Sequence, residues 1–145
     1  MLKWVFSLLP ILCVAFLVGC QFHEIENMVL LDEKIAEVTI SESNGFGGMN
    51  EEIIQSFTDK ESIKTFKKAI TTARKQVGDV DVSDPQYDVM VKYTSKEGQL
   101  PTHGIHLWLG KENEKSMFMY IEDKEVYFTS TKMTEKLRML ILSDN

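Results

Sequence analysis

Two cysteines in 145 residues are too few for a disulfide framework, and three prolines with eight glycines exclude a collagen-like or proline-rich chain. No internal repeat or low-complexity tract is visible, which argues against solenoids and arrays. Basic residues are the minority, 16 against 22 acidic ones, and a net charge of -6 disfavours nucleic acid as a partner. Catalytic motifs are missing as well. There is no Gly-x-Ser-x-Gly, and Gly45-Phe46-Gly47-Gly48 runs into Met49-Asn50-Glu51, without the Gly-Lys-Ser/Thr of a phosphate-binding loop. The acidic run Asp79 to Asp84 opens like a calcium loop but carries Asp84 where glycine is needed and Met90 where glutamate is needed, so it reads as a solvated connection. His103 and His106 are spaced i, i+3, which on a strand sends them to opposite faces; no metal and no cofactor are expected. What is present, 43% hydrophobic and 26% charged residues, suits one globular domain with an ordinary core.

The first twenty residues have a separate character. Lys3 precedes an apolar stretch from Trp4 to Val18, interrupted only by Ser7 and Pro10, which has signal-peptide length and is short for a spanning helix. It ends in Leu17-Val18-Gly19-Cys20, which resembles the bacterial lipobox. That resemblance implies cleavage between Gly19 and Cys20 and a diacylglyceryl thioether on the Cys20 sulfur, whose two acyl chains suffice for stable anchoring. Cys13 would leave with the leader, so the mature chain keeps one cysteine, and lipidation accounts for it. The expected organisation is a leader over 1–19, a short tether over 20–33 and a single domain over 34–145, held at the extracytoplasmic face of the cell membrane.

Within that domain, Ala36, Val38 and Ile40 alternate with polar residues, and Glu51 to Phe57 forms a second apolar-rich run across a glycine-rich loop, predicting a hairpin. Thr58 to Glu61 fits a capping box, and Ile63, Phe66, Ile70, Ala73 and Val77 follow at helical spacing up to Gly78. Strands are predicted around Tyr87 to Tyr93, Ile105 to Leu109, Met117 to Ile121 and Val126 to Thr129. Ser130 or Thr131 caps a closing helix carrying Met133, Leu137, Leu140 and Ile141 on one stripe. The pattern predicts an α+β fold: an antiparallel sheet in the order β-β-α-β-β-β-β-α, with two helices packed on one face and a signal peptide ahead.

The lipobox, the early hairpin, the helix from Phe57-Thr58-Asp59-Lys60-Glu61-Ser62-Ile63 to Ala73, the strands Tyr87-Asp88-Val89 and Leu107-Trp108-Leu109, and the Val126-Tyr127-Phe128-Thr129-Ser130 entry to the last helix resemble the YhfM-like lipoproteins of Gram-positive bacilli. The resemblance implies location and fold and transfers no catalytic residue.

Two surfaces stand out as candidate sites. Lys60, Lys64, Lys67, Lys68, Arg74 and Lys75 stand against Glu61 alone, which reads as a solvated helix face or as attraction to anionic headgroups or an anionic wall polymer. If Ile105, Leu107 and Leu109 face the helices, His106 and Trp108 with Phe118, Tyr120 and Tyr127 share the opposite face, an aromatic surface for a protein partner or an envelope component. The reading that follows is a non-enzymatic, membrane-anchored binding or accessory domain. The alternatives are an envelope enzyme with an unrecognised site and a structural subunit of a membrane complex.

Overall fold

The computed structural model describes residues 24–95, 97–98 and 100–143. The leader, the Gly19–Cys20 junction and Cys20 itself lie outside the described residues. Among the described residues no helix is long and apolar enough to cross a membrane.

The chain forms β1 (Ile35–Glu42), β2 (Ile53–Phe57), α1 (Lys60–Thr71), β3 (Arg74–Lys75), β4 (Tyr87–Tyr93), β5 (His103–Trp108), β6 (Met117–Tyr120), β7 (Tyr127–Phe128) and α2 (Thr131–Ile141). All strand pairs are antiparallel, in one sheet ordered β2-β1-β4-β5-β6-β7-β3. The fold is therefore α+β, with both helices backing the sheet. Val38, Ile40, Val89, Val91, Ile105 and Leu107 project from the central strands into one core, where they meet Phe66, Ala69 and Ile70 of α1 and Met133, Leu137 and Ile141 of α2.

The helices start where their caps dictate. Asp59 accepts the Ser62 amide at 2.9 Å, so the cap lies one residue beyond the Thr58 that the capping-box pattern suggests. Ser130 plays the same part for the Met133 amide at 3.2 Å. The first helix stops at Thr71 and does not run on to Gly78. Ala73 and Lys75 turn to backbone pairing with the N-terminal segment, and Arg74 and Lys75 pair with β7. Val77, in phase with the helical stripe, is 69% exposed.

The predicted tether is largely part of the domain. The Met28 amide donates to Ala73 O at 3.0 Å and the Lys75 amide to Glu26 O at 2.8 Å. Met28 and Leu30 are buried in the main core. From there the chain crosses one end of the sheet: the Tyr120 hydroxyl receives the Val29 amide at 2.8 Å and donates to the Val29 carbonyl, and the Tyr93 hydroxyl receives the Leu31 amide at 3.3 Å. Met28 to Leu31 thus form a sheet-end clasp, and the folded unit includes Glu26 and Met28, ahead of the expected boundary at 34.

Tyr93 Oη also lies 2.6 Å from His103 Nδ1. With its oxygen already receiving the Leu31 amide, the phenol is free to donate to an unprotonated ring nitrogen, an arrangement that suits neutral His103. Burial lowers the His103 pKa below its ordinary 6.5 and raises that of Tyr93. A histidine whose folded pKa is depressed stabilises the fold fully above its unfolded value and loses that contribution as pH falls below it. Denaturant titrations should show a loss of stability as pH drops through about 6.5, and His103→Phe should flatten that part of the profile. Parallel profiles for the two proteins would mean that the clasp does not depend on the neutral ring.

Candidate functional site

Alternation along the strands sends one set of side chains away from the helices. Register aligns four of them in a row across the outer face: Ser41 faces Asp88, Asp88 faces His106 and His106 faces Met119. This face is not open to solvent. The loop after β1 and the loop before β4 fold over it, and Val80 and Val82 pack with Trp108, Met119 and Val126 in a second apolar cluster. The acidic run Asp79 to Asp84 is therefore a cover as well as a connection, and its Ser83 carbonyl accepts the Trp108 indole N–H at 2.9 Å.

Beneath this cover Asp88 and His106 are both fully buried. Asp88 Oδ1 lies 2.7 Å from His106 Nδ1, and Asp88 Oδ2 accepts the Asn50 amide at 2.8 Å. The carboxylate is thus held at both oxygens and fixes the ring's orientation. A proton on Nδ1 leaves Nε2 of the neutral ring as an acceptor. Nε2 is buried and has no hydrogen-bond partner among the described residues. Buried polar atoms in that state are uncommon and call for an explanation.

Phe46 closes the site. Its ring stands edge-on to His106 at 5.7 Å and lies 6.0 Å from Trp108, yet the residue as a whole is 51% exposed. It sits between Gly45 and Gly47, both at positive φ, where side chains with a Cβ are strained. Gly104 shapes the floor: a Cβ there would come within 2.9 Å of Met49 Sδ and of Ile121 Cδ1, so glycine lets the loop after β1 seat on β5. Two grooves, about 810 Å³ beside Ile25 and Val126 and about 510 Å³ beside Lys34 and Ile63, do not include His106.

The aromatic face expected from the sequence is not formed. Ile105 pairs with Tyr120 and Leu107 with Phe118, which puts Phe118, Tyr120 and Tyr127 on the helix side, where Phe118 and Tyr127 belong to the main core and Tyr120 packs against it. Only His106 and Trp108 face outward, and both are covered. The error is one of phase in β6 and β7. His103 lies at the sheet end beside Tyr93, away from His106. Asp88, Asn50 and Phe46 were not singled out by sequence reasoning; an aspartate alone among the apolar residues Tyr87 to Val91, on the strand that pairs with His106, was the available signal.

A family model described as YhfM protein matches residues 32–145. The chain belongs to the YhfM family. No curated protein matches it. Among solved structures it is similar to a thioesterase-like protein from Clostridium sporogenes ATCC 15579, with a TM-score of 0.60 and 15% identity, over 76% of this chain and 96% of that one. At that identity the likeness is one of fold. The reading as a non-enzymatic binding domain is corrected: the aromatic surface on which it rested is not formed, and the fold is one also found in a protein described as thioesterase-like.

Removing Asp88 leaves a buried imidazole N–H and a backbone amide without an acceptor. Asp88→Ala should cost about 2 to 5 kcal/mol in chemical denaturation, about 1 to 3 for each of the two buried donors left unsatisfied, whereas Lys92→Ala, which breaks the partly exposed pair with Glu37, should cost less than about 1 kcal/mol. Asp88→Leu combined with His106→Leu should recover part of the loss, because both ends of the buried pair go together. Equal costs for Asp88→Ala and Lys92→Ala would contradict this description of the site.

Proposed function

We propose that this YhfM family member is an envelope hydrolase of acyl thioesters or esters, anchored by lipid on Cys20, with His106 as general base and Asp88 as the group that orients it. The observation that carries the chemistry is the buried dyad with its unpartnered Nε2. An imidazole held through Nδ1 by a carboxylate, with Nε2 free, is the arrangement that takes a proton from a nucleophile. The fold likeness to a thioesterase-like protein supports the choice of bond.

Water is the nucleophile in this scheme. Ser41 is the hydroxyl in the same row, but it faces Asp88 and lies two strands from His106, roughly 10 Å at ordinary strand spacing. Nε2 takes one proton from water as the oxygen attacks the acyl carbon. The C–S or C–O bond then breaks, and the proton returns from Nε2 to the departing thiolate or alkoxide. Met119 and Trp108 next to His106 suit an apolar acyl group. Access requires Phe46 to swing aside on Gly45 and Gly47, a local loop movement of the kind that gates many active sites.

Full-length protein in detergent, assayed against simple acyl thioesters of increasing chain length, should show turnover that falls by about 100-fold or more in His106→Gln, with circular dichroism unchanged. Phe46→Ala should ease access and raise kcat/KM. Absence of turnover in the wild type across the series, or full activity in a folded His106→Gln variant, would sink the proposal.

The anchor has its own test. Serine offers no thiolate to attack the diacylglyceryl donor, so Cys20→Ser should abolish incorporation of a fatty-acid analogue and processing of the leader. Unchanged labelling would remove the anchor and leave the chemistry untouched.

A further inference from the structure

The basic helix is not absorbed by this chemistry. Lys60, Lys64 and Lys67 recur along α1 and, with Lys34 from the segment before β1, surround a groove of about 510 Å³ whose walls include Ile35 and Ile63. Glu33 is the one acidic residue among its lining groups, and none of the four lysines belongs to an ion pair among the described residues. In a chain of net charge -6, a concentration of unpaired cations on one helix face costs mutual repulsion that a counter-charge would relieve.

The groove's place in the fold identifies the counter-charge. β1 begins at Ile35 opposite Tyr93, the end of β4, and Val38 pairs with Phe57 at the end of β2, just ahead of α1. The groove therefore lies at the end of the sheet crossed by the N-terminal clasp, where Tyr120 and Tyr93 hold Val29 and Leu31. Glu26 pairs with Lys75, and the short stretch from Cys20 to Glu26 spans at most roughly 20 Å. An anchor at Cys20 brings this end of the domain to the membrane. We infer that the lysine-walled groove is a docking site for anionic phospholipid headgroups, which orients the anchored domain with its clasp end on the bilayer. The inference rests on the proposed anchor and is independent of the hydrolytic chemistry. Juxtamembrane lysines are attracted to anionic leaflets within a Debye length, and the apolar walls suit the upper part of an acyl chain.

The test uses the full-length lipidated protein reconstituted in vesicles of phosphatidylcholine alone or with phosphatidylglycerol, and follows lysine acetylation by mass spectrometry. Flotation with both vesicle types reports the anchor; failure to float removes the anchor and the docking inference with it. Lys34, Lys60, Lys64 and Lys67 should be acetylated about tenfold more slowly on phosphatidylglycerol vesicles, with Lys111 unchanged and the difference lost at high salt. Lys64→Glu with Lys67→Glu, checked for fold by circular dichroism, should restore rapid labelling of Lys34. Equal acetylation on both vesicle types overturns the inference. So does equal protection on phosphatidylcholine by soluble poly(glycerol phosphate), which would make a polymer the occupant.

Discussion

The hydrogen bond between Asp88 and His106 dictates how the outer half of this protein is built. A carboxylate buried in a sheet is costly unless its lone pairs are taken up, and the strand across from it supplies only one donor. The second comes from the Asn50 amide, which draws the loop after β1 down onto β4. Asn50 is fixed in turn by its side chain, which donates to the Glu42 carbonyl and accepts the Glu52 amide. Phe46 then stands against His106, while Val80 and Val82 pack on the neighbouring Trp108, Met119 and Val126. A sheet with helices on one side thus acquires a second, smaller apolar layer on the other, organised around a polar pair.

That second layer explains which parts of the fold were legible in the sequence. Strand periodicity and the apolar stripes of α1 and α2 identified the elements, because each contrasts a core side with a wet side. Met117-Phe118-Met119-Tyr120 offers no such contrast. It is apolar at every position because both faces of β6 are covered, and alternation alone cannot say which residues look toward the helices. Phe118 and Tyr120 were placed on the wrong side for that reason. The burial of Asp88 depends on loops distant in sequence, which local pattern does not reveal.

The first helix and the tether went astray for a related cause. Val77 continues the apolar stripe of α1, yet backbone pairing of Ala73 and Lys75 with Met28 and Glu26 prevails over one more helical turn. Met28 to Leu31 falls within the segment that the sequence marks as a tether. Its role shows only when the tyrosines at the ends of β4 and β6 are in place to meet it, and no short-range signal links residues 62 and 91 positions apart.

The clasp also determines how the domain would carry mechanical load. A pull applied at Glu26 is carried by its backbone bond to Lys75, at the outermost strand of the sheet, and then by that between Met28 and Ala73. The phenolic contacts of Tyr120 and Tyr93 come next, one after the other, as the chain is drawn off the sheet end. Force enters as successive peeling of single bonds, which yields at lower tension than the simultaneous shearing of a paired strand. The loops over Asp88 and His106 emerge from other strands and take no part in that sequence. A load applied through the N-terminal segment would therefore be absorbed at the edge of the sheet before it disturbed the covered face.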